Sequence, residues 1–119
     1  MNDASFPRQS RLRQQADFDR VYEGKAYAAD EVLVVNGVRN GREESRLGLS
    51  VSRRVGNAVV RNRWKRFIRE AFRAQRDQIP SGFDFVVRPR KGAVASFGSV
   101  RTSLPELARR VARRTERAG

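Results

Sequence analysis

The chain has neither cysteine nor histidine. Their absence removes disulfides, the usual zinc ligand sets, the commonest general base and the thiol nucleophile. Acidic residues are scarce as well, 13 Asp and Glu against 26 Lys and Arg, so the formal net charge is +13. A nuclease acting alone would need clustered carboxylates to hold Mg²⁺. Here Asp17, Asp19, Asp30, Glu31, Glu43, Glu44 and Asp84 are dispersed, in places that suit caps, loops and solubilising charges. Long apolar runs are also missing. No segment approaches the ~18 residues of a membrane span, and Met1 to Pro7 lacks the apolar core of a signal peptide. The expectation is a soluble, cytoplasmic chain with no membrane contact. No internal repeat or Pro-, Gly- or Ser-rich linker breaks the 119 residues, which fit one domain over 1–119 with flexible ends at 1–7 and 115–119.

What is present is charge arranged in a pattern. Charged residues make up 33% of the chain, above the ~25% usual for soluble proteins, while the apolar 39% is clustered and periodic enough to build a core. A small domain this positive repels itself and gains most by meeting a polyanion. Most of its cations are Arg, whose planar fork suits phosphates and stacks on bases. Nucleic acid is the favoured partner class; a solubility device and a membrane-surface binder are the plainer alternatives.

Residues 16–23 turn helical, with Asp17 at the cap or first turn, Phe18, Val21 and Tyr22 on one face, and Gly24 as the stop. Residues 31–38 and 46–52 read as strands joined by a long turn-rich loop, an apparent antiparallel hairpin. Asn57 is a good N-cap for a helix over 58–77, stopped by Ile79-Pro80-Ser81-Gly82. A further strand covers 84–88 and leads into the basic turn Arg88-Pro89-Arg90-Lys91-Gly92. The last helix starts at Ser99 or Ser103 and runs to Arg114; Pro105 favours the later start, and with an earlier one it must kink the helix or cost a hydrogen bond.

The helix after Asn57 carries the chemistry. Val60, Trp64, Phe67, Ile68 and Ala71 share its apolar side. Arg61, Lys65, Arg66, Arg69, Arg73 and Arg76 fill an adjoining arc, with Asn62 among them and Arg63 at the other edge. Like charges at i, i+4 destabilise an isolated helix by a few tenths of a kcal/mol per pair. Bound phosphates recover that penalty, and no Glu interleaves before Glu70. A solvated face is the bland reading of such a run. The pattern names a phosphate-binding helix without naming the polyanion.

The segment Gly56-Asn57-Ala58-Val59-Val60-Arg61-Asn62-Arg63-Trp64-Lys65-Arg66 resembles the RNR signature of the bacterial ribonuclease P protein family. Arg11-Leu12, Asp17-Phe18 with Val21-Tyr22, Leu47-Gly48-Leu49-Ser50-Val51-Ser52, and Asp84-Phe85-Val86-Val87 with Arg90-Lys91-Gly92 follow in the family's order, so the likeness spans about residues 6–114. The expected fold class is α+β, a small mixed sheet packed with helices in αβββαβα order, ribosomal S5 domain 2-like. The resemblance implies a left-handed βαβ crossover around the RNR helix, against the usual right-handed rule.

It also implies a function. Family members bind a catalytic ribonuclease P RNA, and the complex removes the 5′ leader of precursor tRNA; the RNA with Mg²⁺ performs the hydrolysis. By this resemblance the chain is an accessory subunit with no catalytic or metal-binding residue and no cofactor of its own, though the holoenzyme requires Mg²⁺. Arg53, Arg54, Arg61, Asn62, Arg63, Lys65, Arg66, Arg69, Arg90 and Lys91 match positions that contact the catalytic RNA. Phe18 and Tyr22 match aromatic positions of the cleft that holds the leader, and Val35 is taken as the sheet position of that cleft. A third aromatic is missing there, with Tyr27 on the opposite parity either compensating or packing. Phe18 and Tyr22 also read as core residues of a small helix, and Trp64 as core. A ribosomal protein or assembly factor remains the rival, and weak self-association stays open. A DNA-binding helix-turn-helix lacks its first helix.

Overall fold

The structure, a computed structural model, describes residues 8–118. After a 3-10 turn at Arg8–Ser10 come α1 (Gln15–Glu23), β1 (Tyr27–Ala29), β2 (Leu33–Arg39), β3 (Arg46–Leu49), α2 (Ala58–Ala74), β4 (Phe83–Pro89) and α3 (Phe97–Ala118). The fold is α+β with one mixed four-stranded sheet, and the order is αβββαβα.

The strands lie in the order β1-β2-β4-β3. This corrects the hairpin expected of β2 and β3: they never pair, because β4 lies between them, antiparallel to β2 and parallel to β3. The reason is visible at both ends of the loop. Ser45 donates its hydroxyl to the Pro80 carbonyl at 2.6 Å and accepts the Phe83 amide at 2.9 Å, and the Asn40 amide donates to Gly82 at 2.9 Å. The turn after β2 is thereby stitched to the entry of β4. Phe83 to Val87 are buried without a break, and only a central position covers a strand on both faces.

Alternation along the strands divides the residues between two faces. On one, Leu33, Val35, Leu47, Phe83, Phe85 and Val87 meet Trp64, Ile68 and Phe72 of α2 and Val100, Leu104, Leu107 and Val111 of α3 in the main core. Gly37 lets α3 approach β2 closely, since a Cβ there would lie 2.8 Å from Phe85 and Val111 atoms. On the other face a smaller cluster of Leu12, Val21 and Val86, with Phe18 and Val38, seats α1.

α2 begins as expected: the Asn57 side chain accepts the Val60 amide at 3.0 Å. It ends earlier, at Ala74, and a separate 3-10 turn at Arg76–Gln78 follows. α1 ends at Gly24, but Gly24 keeps right-handed helical angles and Lys25 takes the left-handed conformation, φ 66°. α3 starts before either serine that the sequence suggested, because Ser96 accepts the Ser99 amide on its hydroxyl and the Val100 amide on its carbonyl. Pro105 therefore lies inside the helix, where the missing N–H leaves a gap in the ladder; its ring is buried, which offsets the loss. The helix continues through the expected flexible end to Ala118, while the other, residues 1–7, lies outside the described residues.

Candidate nucleic-acid interface

α2 holds its cations by burying the opposite side. Trp64, Ile68, Ala71 and Phe72 are locked in the core, so the positions between them must face outward. Asn62, Arg63, Arg66 and Arg73 are exposed; Arg61, Lys65, Arg69 and Arg76 are half-buried. Among the described residues, none of Arg61, Arg63, Lys65, Arg66, Arg69 and Arg73 has a carboxylate within ion-pair distance, whereas Arg76 reaches Glu44 at 3.5 Å. Arg76 also lies over the Phe72 ring, 5.0 Å from its centroid, which ties it to the end of the helix. Arg61 donates to the Gly56 carbonyl at 2.8 Å and so braces the loop that carries the N-cap. Arg53 and Arg54 are exposed in the 3-10 turn Arg53–Val55 ahead of α2.

The second candidate region lies on the sheet face that carries α1. Gly48 lets α1 close on the sheet: a Cβ there would stand 2.9 Å from the tip of the Phe18 ring. Phe18 is accordingly half-buried and packs, while Tyr22, one turn on, is 38% exposed at the edge. Val35 does not belong to this region. It is fully buried on the opposite face in the main core, and Val34 and Asn36 take the cleft-facing positions of β2. The reason is parity: a shift of one residue moves a strand's side chains to the other face. Asn36 is buried there with its side-chain oxygen accepting no hydrogen bond. Directly across from it in β1, on the same face, is Tyr27, 53% exposed.

Arg90 and Lys91 do not join the α2 ridge. They line a concavity of about 430 Å³ with Arg54, Arg88 and Val34 at the end of the sheet, and no α2 residue lines it. Arg88 shares its face with Val34, its partner across the β2–β4 ladder. The basic turn therefore continues the α1 face of the sheet.

The orientation of α1 is fixed by a charge cluster that the sequence reading took for a dispersed acid. Asp84 of β4 is 0% exposed. Its carboxylate accepts two hydrogen bonds from Arg46 of β3, at 2.9 and 2.7 Å, one from Arg20 of α1 at 2.5 Å and one from Asn40 at 2.9 Å. Burial alone would raise the Asp84 pKa; the Arg46, Arg20 and Asn40 hydrogen bonds outweigh it, and the carboxyl sits below its ordinary range. Arg20 and Arg46 are raised in turn by their hydrogen bonds to Asp84.

Comparison with known proteins identifies the family and the fold. The Ribonuclease P family model matches residues 6–112. The ribonuclease P protein component of Thermotoga petrophila is 43% identical over 96 residues, covering 81% of this chain and 82% of the relative. That of Thermotoga maritima is 40% identical over 112 residues, 90% of this chain and 96% of the relative. Among solved structures, the Thermotoga maritima RNase P protein superposes with a TM-score of 0.76 at 40% identity over 84% of this chain and 96% of that one. The Staphylococcus aureus RNase P protein gives 0.75 at 34% identity, over 84% and 93%.

Proposed function

This chain belongs to the ribonuclease P protein family, and from that membership we infer that it works as the accessory subunit of a catalytic RNA that removes the 5′ leader of precursor tRNA. The observation that carries this reading is the juxtaposition of two different surfaces. α2 offers cations without carboxylate partners, suited to the phosphates of a folded RNA. The α1 face of the sheet offers aromatic edges, Tyr22 and Tyr27, that run toward Arg54, Arg88, Arg90 and Lys91, the chemistry of a single-strand site. In this reading Arg53, Arg61, Asn62, Arg63, Lys65, Arg66 and Arg69 serve the catalytic RNA. Phe18 supports the cleft by packing, Tyr22 stacks on a leader base, and Asn36 brings an acceptor without a partner to the floor.

Among the described residues no group of three or more acidic side chains converges. In the proposal the ion required for hydrolysis belongs to the RNA, and no side chain here acts as acid, base or nucleophile. No helix among the described residues is long and apolar enough to cross a membrane.

The test is cleavage of precursor tRNA by a bacterial ribonuclease P RNA at low Mg²⁺, with and without the protein. Strong stimulation is expected, with the protein alone inert. Absence of stimulation by a folded protein would favour a ribosomal or assembly role. Within the same assay, Tyr22→Ala is expected to weaken binding of long-leader precursors by about 1–3 kcal/mol, the usual value of a base stacked on a ring. Mature tRNA should bind as before; an equal loss for both would remove Tyr22 from the leader site.

A further inference from the structure

α1 rests on the sheet through Val21, which is fully buried, with Phe18 packed beside it. At about 100° per residue, Asp17 and Arg20 flank Val21 on one side of the helix, and Phe18 and Tyr22 flank it on the other. The first flank is tied down by charge. Arg20 donates through Nη2 to Asp84 at 2.5 Å and to Asp17 at 3.3 Å, and Arg46 of β3 stands 3.7 Å from Asp17. The second flank carries Tyr22 at the edge of the cleft. α1 has only nine residues, its N-cap Gln14 makes no side-chain bond, and a helix that short holds its place by packing alone. Burial of Val21 sets the distance of α1 from the sheet, but apolar contact has no direction. The Arg20–Asp84 bond has one, and it acts on the side opposite Tyr22.

We propose that Arg20 is a positioning residue for the leader-binding cleft: its bond to Asp84 fixes the roll of α1 about Val21, and thereby the height at which the Tyr22 ring meets a leader base. The inference rests on the reading of Tyr22 given above and assigns Arg20 no contact with RNA. The geometry separates Arg20 from the rest of its charge cluster. Without Arg20, Asp84 still accepts two hydrogen bonds from Arg46 and one from Asn40, so β3 stays fastened to β4. The Arg20 side chain is 41% exposed, so removing its charge leaves no buried group without a partner. Asp84 thus serves the fold through Arg46 and the cleft through Arg20. A binding site has to be held within about 10–20° of its productive geometry, a tolerance that contacts without direction do not enforce.

The experiment measures binding of long-leader precursor tRNA and of mature tRNA to the complex of this chain with a bacterial ribonuclease P RNA. The chains compared are wild type, Arg20→Gln, Arg20→Lys, Tyr22→Ala and the double variant of Arg20→Gln with Tyr22→Ala. Arg20→Gln is expected to bind the long-leader precursor about tenfold more weakly, within the range of a lost base–ring stack, and mature tRNA as before. Its thermal midpoint should stay near that of the wild type. Arg20→Lys, which keeps a charged donor, should recover most of the loss. The double variant should bind no worse than Tyr22→Ala alone, because an effect carried through the ring disappears with the ring. Losses that add overturn the proposal, and so does an unchanged affinity in Arg20→Gln. A salt series closes the direct route: a log–log slope lower by about one unit in Arg20→Gln would make Arg20 a phosphate contact in its own right. An equal loss for mature tRNA, with a lowered thermal midpoint, would assign Arg20 to stability alone. Tyr22→Ala without any leader effect would remove the leader reading and the proposal together, whereas a leader effect of Tyr22→Ala and none of Arg20→Gln would remove only the proposal.

Discussion

Replacing Asp84 by Asn is expected to destabilise the protein by about 3–5 kcal/mol, the usual result of removing one partner from a buried charge cluster. The amide keeps the volume and one acceptor but loses the charge. Arg46, whose side chain is only 14% exposed, would then be left without its buried counter-ion, and Arg20 would lose its tie to the sheet. The damage is therefore twofold: β3 loosens from β4 and α1 loosens from both. A pH series provides a second readout. The folded carboxyl titrates below the ordinary value of 3.8, so its contribution is complete above that value and is lost as the pH falls through the lower, folded one. Urea unfolding from pH 7 downward should show the wild type losing stability on that acid limb, and the variant, already weaker, lacking that part of the loss. Parallel acid limbs in the two proteins would refute the clamp.

The second large effect concerns α2. Neutralising Arg63, Lys65 and Arg66 together with Gln is expected to lower the salt slope of catalytic-RNA binding by about three units. Affinity near 0.1 M salt should fall by two to three orders of magnitude, since each released counterion is worth about one decade there. Arg61 is deliberately left alone, because its bond to the Gly56 carbonyl would mix a folding effect into the result. The thermal midpoint of the triple variant should stay level or rise, as three mutually repelling charges are gone. An unchanged slope would show that RNA does not use this face.

How legible all this was in the sequence depended on the range of the interaction. α2 could be placed from Asn57 and the spacing of Trp64, Ile68 and Ala71, because caps and helical faces are local. The position of β4 was not legible. Two apolar segments joined by a turn-rich loop suggest a hairpin, and nothing near them announces that residues 83–89 will come between. Val35 shows how narrow the margin is within a strand: β2 is apolar on both sides, so the alternation that would separate Val35 from Val34 and Asn36 is nearly erased. The role of Asp84 depends on Arg20 and Arg46, 64 and 38 residues away, and a lone acid in a sequence gives no sign of such partners. Pro105 was read by a local rule that burial against the rest of the fold overrode.

The central place of β4 has a consequence for how the chain comes to function during synthesis. β2 and β3 have no partner in each other, so apart from the single bridge from Arg11 to Leu47, β3 and the long side of β2 stay unpaired until the segment Phe83–Pro89 has left the ribosome. Of the sheet's ladders, the short β1–β2 pair is the one whose two strands both precede β4. α1 rests on β2 and β4, and α2 packs against α3, which follows β4 in the chain. A nascent chain is thus a basic polymer without either surface in place, and contacts between distant segments such as these form late and together. The α1 face of the sheet and the cationic face of α2 are both completed only when β4 and α3 are in place, so a chain stopped short of β4 offers neither in its folded form.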